Sequence, residues 1–265
     1  MEKGRGGLLA VHAHPDDESL WSGGVLAQHA AERRATAVLT CTDGELWDGS
    51  SLAAPGTRAK ELAQALSVLG VRESALLPYR DSGAGEAGPG SLRAAPFEEV
   101  VEGIVAYIRA VRPAAVLTYD AHGGYGHPDH VRVHQAVLAA VEAAANPYRH
   151  PGAGEPWAVR SLWLATVPES LVRRLTALGL DEPLPSTPDA EISLAVDVRP
   201  WLEVKWQALR AHASEFARGA RVAAFEEPQL RRLCLGTEWY LHRPGPGSVR
   251  RFPAAGRPPL LSDLA

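Results

Sequence analysis

The five residues His14-Pro15-Asp16-Asp17-Glu18 constrain this chain more than any other stretch. They follow a short apolar run, Leu8 to Val11, which predicts a buried strand, and they open a segment with helical spacing. In open α/β sheets the ligand crevice lies at the carboxyl ends of the strands. A histidine and adjacent carboxylates at that point therefore predict a site that performs chemistry.

A second polar cluster occupies the same kind of position much later in the chain. It reads Gly123-Gly124-Tyr125-Gly126-His127-Pro128-Asp129-His130 and follows another apolar run, Ala114 to Tyr119. Because parallel strands end at one edge of a sheet, we expect the two clusters to meet. Catalytic zinc sites take three ligands from His, Asp, Glu or Cys and leave one position for water. The sequence thus predicts one metal site held by His14, Asp17 and His130.

Asp16 is the predicted general base of this site. It adjoins Asp17, so coordination neutralises one carboxylate while the other keeps a proton affinity suited to taking a proton from water. Two histidines and one carboxylate suit zinc and also accept iron. The predicted cofactor is therefore Zn²⁺, with Fe²⁺ as the alternative.

Alternating strands and helices predict the fold class. Strands are expected at 8–11, 37–42, 75–77 and 114–119, and helices at 18–35, 57–69, 97–111 and 129–145. This is typical of an α/β protein with a Rossmann-like, mostly parallel sheet flanked by helices. Residues 146–265 are expected to form a smaller C-terminal extension that walls the active site. It would hold strands at 162–166 and 192–196, helices at 169–178 and 200–216, and a tail from Pro244. The whole is predicted to be one domain, residues 1–265.

Composition narrows the choice of partners and compartment. The net charge of −4 leaves no basic stripe, so nucleic acid is not an expected partner. No stretch approaches the roughly 20 apolar residues that span a bilayer, so no membrane association is expected. Cys41 and Cys234 are predicted to be buried free thiols, with one disulfide between them as the alternative. No apolar segment of signal-peptide length follows the N-terminal charges, so the expected location is cytoplasmic. Homo-oligomers are compatible with these features.

The paired clusters resemble the family of zinc-dependent N-acetylglucosaminyl deacetylases that includes the phosphatidylinositol-glycan (PIG-L) and LmbE-type enzymes. The resemblance is strong over residues 8–145 and thinner beyond. Within the family it is closest to the mycothiol branch, the inositol-glucosamine deacetylase and the mycothiol conjugate amidase. That branch is indicated by Tyr79-Arg80-Asp81-Ser82-Gly83, by the Gly-Gly-Tyr-Gly lead into the second cluster, and by Leu209-Arg210-Ala211-His212.

The resemblance implies the ligands and base already predicted, and it adds further roles. Tyr125 would donate a hydrogen bond to the carbonyl oxygen as it becomes an oxyanion. His127, held by Asp129, would stabilise that charge or protonate the leaving amine. Arg58 and Asp81 would contact the sugar.

The predicted function is accordingly a zinc-dependent hydrolase that deacetylates an N-acetylglucosamine-type conjugate, as in the biosynthesis of a thiol cofactor. Its partner would be this small amino-sugar conjugate. One alternative is an amidase that cleaves thiol-sugar conjugates during detoxification. Another is a non-catalytic sugar-binding protein of the same fold. A dinucleotide enzyme is disfavoured because the first strand-to-helix turn lacks the Gly-x-Gly-x-x-Gly cradle.

Several polar residues also have purely structural interpretations. His12 is expected to be a packed, hydrogen-bonded histidine, and Glu18 to bind a backbone N–H at the helix start. Asp129 could be a helix N-cap, and Arg58 could pair with Glu61 along its helix. The remaining expectations of this kind are an Arg80–Asp81 surface pair, a solvated His122 and a His212 on a largely solvated helix.

Overall fold

The computed structural model describes residues 6–50, 53–180, 184–218 and 221–248. The strands are β1 (Leu8–His12), β2 (Thr36–Leu46), β3 (Glu73–Asp81), β4 (Ala115–Tyr119), β5 (Ser161–Thr166), β6 (Leu194–Asp197) and β7 (Thr237–Pro244). The α-helices are α1 (Asp17–Trp21), α2 (Gly23–Ala31), α3 (Thr57–Leu69), α4 (Phe97–Val111), α5 (Pro128–Ala145), α6 (Glu169–Ala177), α7 (Leu202–Ala211), α8 (Ala213–Ala217) and α9 (Pro228–Leu235). Most of the predicted tail, residues 249–265, lies outside the described residues.

All the described strands join one sheet in the order β3-β2-β1-β4-β5-β7-β6. Strands β1 to β5 are mutually parallel, whereas β7 runs antiparallel to both β5 and β6. The prediction of an α/β fold with a Rossmann-like, mostly parallel sheet is confirmed. Strands β5 to β7 come from the predicted C-terminal extension and continue the same sheet.

The inner strands β1, β4 and β5 are buried along their whole length and rich in apolar residues because helices cover both faces of the sheet. Leu9 and Val11 of β1 face a core shared with α4 and α5. Leu8 and Ala10 face the opposite core, which α2, α3 and α7 complete. Alternate residues of one strand thus anchor two helical layers, and the strand end between them is held rigidly.

The order of strands creates a crevice at the end of β1. The chain moves from β1 outward to β2 and β3, and then returns to place β4 on the other side of β1. Loops leaving β1 and β4 therefore depart in opposite directions, which opens a gap at the carboxyl ends of these two strands. Both predicted polar clusters follow these two strands.

Two predicted helices are each broken in the structure. The segment 18–35 divides at Ser22 into α1 and α2, and α2 ends at Ala31. The segment 200–216 begins as a short 3₁₀ turn, Arg199–Trp201, and divides again at His212 into α7 and α8. The side chains at these breaks, Ser22 and His212, are buried and hydrogen-bonded to His12 and Glu18 respectively. The spacing of apolar residues along the chain does not indicate such contacts.

Strand β7 is absent from the sequence-based prediction. Its burial alternates between buried and half-exposed residues at its start, and it lies between two strands that run against it. The predicted third strand, 75–77, is the middle of the longer edge strand β3.

Within the described ranges, no helix is long and apolar enough to cross a bilayer. Cys41 and Cys234 are both free, as predicted. Cys41 is buried, but Cys234 is only half-buried, so that part of the prediction is wrong.

Candidate metal centre and active site

The crevice between β1 and β4 brings the three predicted metal ligands together. His14 Nδ1 lies 3.2 Å from His130 Nε2, and the carboxylate oxygen Oδ2 of Asp17 lies 3.3 Å from each of these nitrogens. Atoms bonded to one tetrahedral zinc at about 2.0–2.1 Å are separated by about 3.3 Å. The spacing of this trio therefore fits a metal ion of that size.

In His14 and His130, the ring nitrogen that faces away from the trio is hydrogen-bonded, which strengthens the fit of the trio to a metal ion. His130 Nδ1 is 3.1 Å from the Gly123 carbonyl and donates to it, which leaves its Nε2 as a lone pair. His14 Nε2 is 3.2 Å from Asp129 Oδ2, which leaves the His14 Nδ1 lone pair facing the same point. Two lone pairs and a carboxylate oxygen at this spacing repel one another unless a cation lies between them. A carboxylate or carbonyl behind each ligating histidine is the usual outer partner in metal sites.

The local charge also favours a cation. Burial opposes a charge on His14, but Asp81, Asp129 and Asp17 outweigh it and raise the pKa of this imidazole well above its ordinary value. Burial likewise opposes ionisation of Asp17, yet His130 and His14 hold the pKa of its carboxyl well below the usual range. The centre is thus a buried negative pocket that attracts positive charge.

Wider sets of potential ligands surround this trio. Ligand atoms of His14, His127 and His130 lie within 4.8 Å of one another, and so do those of His14, Asp81 and Asp129. The atoms of the predicted trio lie 3.2–3.3 Å apart. The described residues therefore offer a group of His and Asp side chains suited to holding a metal ion, and His14 belongs to both wider sets.

Tyr119 supports two of the three ligands and was not anticipated. Its hydroxyl donates to Asp17 Oδ2 at 2.7 Å and accepts the Ala13 N–H at 2.7 Å. Its ring stacks on that of His130, with centroids 4.2 Å apart and planes at 10°. The last residue of β4 thereby orients ligands from both polar clusters.

Asp16 lies beside the trio in an unusual backbone conformation. Its φ of 120° is rare for a residue with a side chain. Its Oδ1 lies 3.5 Å from Arg58 Nη2. Burial raises the pKa of the Asp16 carboxyl to about 8, although the Arg58 guanidinium lowers it. A cation at Asp17 would lower it further, toward the range in which a general base works at neutral pH.

Tyr125 and His127 approach the trio from the glycine-rich turn before α5. The Tyr125 ring lies edge-on to His130 at 5.0 Å between centroids, and His127 lies edge-on to His14 at 4.6 Å. Burial, with Asp17 nearby, raises the pKa of Tyr125, so its hydroxyl stays protonated. Burial, reinforced by His14 and His130, lowers the pKa of His127 to about 4, so its ring is neutral.

A backbone contact sets the tautomer of His127. The N–H of Asp129 donates to His127 Nδ1 at 3.2 Å, so the proton of the neutral ring is on Nε2. His127, rather than Asp129, is therefore the N-cap of α5. The Asp129 carboxylate contacts His14 and accepts the Ser82 N–H at 2.9 Å, so Asp129 holds His127 through its backbone N–H rather than its carboxylate.

The two predicted sugar-contacting residues both lie near this centre, Asp81 against His14 and Arg58 against Asp16. Asp81 Oδ1 accepts the Gly83 N–H at 2.8 Å and is 3.4 Å from His14 Nε2. Arg58 is only 5% exposed and donates to the Gly44 and Pro15 carbonyls at 2.8 and 2.6 Å. The Arg58 guanidinium thus donates mainly to carbonyl groups of the protein itself. Their predicted sugar contacts stay predictions.

The structural interpretations have mixed outcomes. His12 is buried and its Nε2 is 2.9 Å from Ser22 Oγ, and Glu18 Oε2 accepts the Asp16 N–H at 3.0 Å, both as predicted. His122 is exposed, also as predicted. Other expectations are wrong: Arg80 pairs with Glu45, Glu61 binds Ser214 instead of Arg58, and His212 is fully buried against Glu18.

Comparison with protein families gives one clear match. The family described as "PIG-L: GlcNAc-PI de-N-acetylase" matches residues 9–141, about half of the chain. This span begins in β1 and ends in α5, so it contains every element that carries the predicted metal ligands.

Individual relatives extend the likeness beyond that span. A 1D-myo-inositol 2-acetamido-2-deoxy-α-D-glucopyranoside deacetylase of Rhodococcus erythropolis is 42% identical over 237 residues, covering 78% of this chain and 80% of the relative. The conserved protein TT1542 of Thermus thermophilus superimposes with a TM-score of 0.62 at 25% identity, covering 94% and 98% of the two chains. The N,N'-diacetylchitobiose deacetylase of Pyrococcus horikoshii shares the fold, with a TM-score of 0.64 at 18% identity, over 90% and 84%. This chain belongs to the PIG-L family of GlcNAc-PI de-N-acetylases.

Proposed function

We propose that this protein is a metal-dependent hydrolase that removes the acetyl group from 1D-myo-inositol 2-acetamido-2-deoxy-α-D-glucopyranoside. The products are the free amine and acetate. The observation that carries the proposal is the convergence of His14, Asp17 and His130 within 3.2–3.3 Å, with Asp16 beside them. The choice of substrate is supported by the 42% identical relative that bears this name.

The proposed cofactor is Zn²⁺, with Fe²⁺ as the alternative, held by His14, Asp17 and His130. Bound there, a divalent cation supplies Lewis-acid polarisation of the amide carbonyl and makes water easier to deprotonate. Tyr119 and Asp129 orient the ligands from behind, as outer-shell groups do in other metal sites.

Asp16 is proposed to take the proton of the attacking water. Asp16 is the chain neighbour of the ligand Asp17, and its Oδ1 lies 3.5 Å from Arg58 Nη2. The proton that Asp16 accepts is then available for the nitrogen of the leaving amine. One carboxylate can therefore serve as base in the first half of the reaction and as acid in the second.

Tyr125 and His127 are proposed to stabilise the charge that develops on the carbonyl oxygen. The Tyr125 hydroxyl is a donor, and the neutral His127 ring carries its proton on Nε2 because Nδ1 accepts the Asp129 N–H. Donors fixed before the reaction act where charge appears, which lowers the barrier without reorganisation. This tautomer favours oxyanion stabilisation over amine protonation as the role of His127.

The alternatives receive less support. A sugar-binding protein without catalysis has no need of a general base and two donors around a metal site. The amidase of thiol-sugar conjugates uses the same chemistry on a larger acyl group, but the relative reported above is a deacetylase. Product analysis separates these two enzymes.

The test is turnover of the metal-depleted protein after reloading with Zn²⁺ or Fe²⁺. Amine and acetate are measured with the N-acetylglucosaminyl-inositol substrate, with N-acetylglucosamine and with a thiol-sugar conjugate amide. The proposal predicts no turnover without metal, recovery on reloading, and equal amounts of amine and acetate from the inositol conjugate. Preference for the conjugate amide would assign the protein to the amidase, and turnover independent of metal would refute the proposal.

A further inference from the structure

The peptide bond between Pro15 and Asp16 is held in place from both ends. Its carbonyl oxygen accepts from Arg58 Nη2 at 2.6 Å, and its N–H donates to Glu18 Oε2 at 3.0 Å. This peptide leads directly into Asp16, whose φ of 120° belongs to a region that costs about 1–3 kcal/mol for a residue with a side chain. Such a conformation persists only where its surroundings enforce it.

Each of these two side chains, Arg58 and Glu18, contacts a residue near the break between α7 and α8. His212 Nε2 is 2.9 Å from Glu18 Oε1, and both side chains are fully buried. Glu215 Oε1 is 3.3 Å from Arg58 Nη2. Two relays thus run from one place in the C-terminal half: His212 through Glu18 to the Asp16 N–H, and Glu215 through Arg58 to the Pro15 carbonyl.

The break between the helices is itself tied to the rest of the fold. The Ser214 N–H and hydroxyl donate to the two carboxylate oxygens of Glu61 at 2.9 and 2.6 Å. Glu61 and Arg58 are both on α3, so one helix supports the break and one relay. Ser19 donates to Glu18 Oε1 at 2.6 Å and fixes that carboxylate as well.

We propose that residues His212 to Glu215, at the break between α7 and α8, position the Asp16 carboxylate. They do so by holding the Pro15–Asp16 peptide in place through Glu18 and Arg58, and we call this segment the brace. The inference rests on the proposed function, in which Asp16 is the general base. His212 and Glu215 are positioning residues that act through Asp16. Neither relay passes through His14 or His130, so the brace sets the direction of the base more than the metal site.

A specific kinetic pattern follows from this arrangement. Loss of the His212 contact lets the strained peptide relax and moves the Asp16 carboxylate away from the attacking water. A displacement of about 1 Å in a reacting group costs up to about 100-fold in rate. The expected loss therefore appears in kcat, whereas KM and the metal content of the protein stay close to those of the parent.

The first experiment compares three variants of the full, metal-loaded chain. His212→Leu is expected to lower kcat about 10- to 100-fold with KM and bound metal changed less than about twofold. His212→Gln, which keeps an N–H donor for Glu18, is expected to recover most of that loss. His29→Leu is the matched control, since His29 is a buried histidine outside the site with one hydrogen bond, to the Val25 carbonyl. It is expected to lower thermal stability without changing kcat.

A double-mutant cycle with Asp16→Asn distinguishes a positioning role of His212 from a general loss of structure in the active site. Asparagine tolerates positive φ, so this variant removes the base without adding strain. Because His212 acts through the Asp16 carboxylate, His212→Leu is expected to cause no further loss of turnover in the Asp16→Asn background. An equal fold-loss in both backgrounds, or full kcat in His212→Leu, would overturn the brace.

The outcomes also separate this inference from the proposed function. If Asp16→Asn keeps full turnover, Asp16 is not the base and the proposed mechanism fails. If Asp16→Asn loses turnover while His212→Leu keeps it, only the brace fails. Should His212→Leu not fold, Glu215→Ala makes the same test through the second relay, with the same result expected in each background.

Discussion

At the residue scale, the geometry of the metal centre depends on a residue that the polar clusters do not include. Tyr119 ends β4, and its hydroxyl and ring contact Asp17 and His130 respectively. One residue thus contacts predicted ligands at the starts of two separate helices, α1 and α5. Its hydroxyl donates to the Asp17 oxygen that faces both imidazoles.

The variant Tyr119→Phe tests this support. It removes the hydroxyl and keeps the stacked ring, so we expect the fold to persist and metal affinity to fall about 10- to 100-fold. Competition with a chelator of known affinity measures the change. Tyr107→Phe, on α4 and away from the centre, serves as the control and should bind metal normally. Equal affinity in the two variants would show that Tyr119 does not tune the site.

The sequence indicates the chemical groups at this scale better than their supports. His14 and Asp17 are three residues apart and follow a strand, so spacing alone indicates that they converge. The contacts of Tyr119 with Asp17 and of His212 with Glu18 span 102 and 194 residues. No local pattern marks such pairs, because they depend on how distant elements pack.

At the element scale, a buried arginine secures the end of the helix that carries His130. The guanidinium of Arg109, on α4, donates to carbonyl oxygens in the last turn of α5 and in the loop that follows it. The acceptors are the carbonyls of Ala143, Ala144, Asn146, Arg149, His150 and Gly154. It thereby satisfies carbonyl groups that a helix end leaves without partners.

Arg109→Lys is expected to lower the free energy of unfolding by at least about 2 kcal/mol. Lysine has three donors on one nitrogen and cannot reach carbonyls spread around the planar guanidinium. Urea unfolding measures the effect. The control is Arg173→Lys, at an exposed ion pair with Glu169, where less than about 0.5 kcal/mol is expected. Comparable changes in both variants would contradict the assigned role.

How well the sequence predicts a strand depends on how much of that strand is buried. Strands β1, β4 and β5 are buried along their whole length and read as continuous apolar runs, so the sequence indicates them directly. Strand β7 has buried Glu238 and Tyr240 among half-exposed neighbours, and no apolar run marks it. Glu238 is buried because it pairs with Lys205 and accepts the Gly24 and Val25 N–H groups at the start of α2. Such a tertiary contact cannot be inferred from local spacing.

At the scale of the whole molecule, buried histidines away from the metal centre contribute to the pH dependence of stability. Burial lowers the pKa of His29 below its ordinary value of 6.5. The unfolded chain therefore binds a proton near pH 6.5 that the folded protein does not. The free energy of unfolding falls as pH drops through this value, and the loss levels off below the folded-state pKa.

His29→Gln removes this titration. Between about pH 7.5 and about pH 5.5 the parent is expected to lose more stability than the variant, by up to about 1.4 kcal/mol per unit of pKa shift. Urea unfolding of both metal-depleted proteins at the two pH values measures the difference. Parallel losses in parent and variant would contradict a lowered pKa at His29.

The fold as a whole explains why one short motif suffices to indicate a site. The reversal of strand order between β1 and β4 opens the crevice, and His212 and Glu215, near the break between α7 and α8, contact Glu18 and Arg58. Polar side chains from both halves of the chain therefore meet at one point. The C-terminal half extends the sheet and also contacts the residues around Asp16.

The most direct measurement of the central claim is the turnover and metal content of Asp16→Asn beside the parent protein, with N-acetylglucosaminyl-inositol as substrate. The variant keeps every predicted metal ligand and lacks only the base. We predict that it binds metal as the parent does and loses about 100- to 10,000-fold in kcat. Full turnover with metal bound, or loss of the metal itself, would contradict the assignment of Asp16 as the base beside the metal centre.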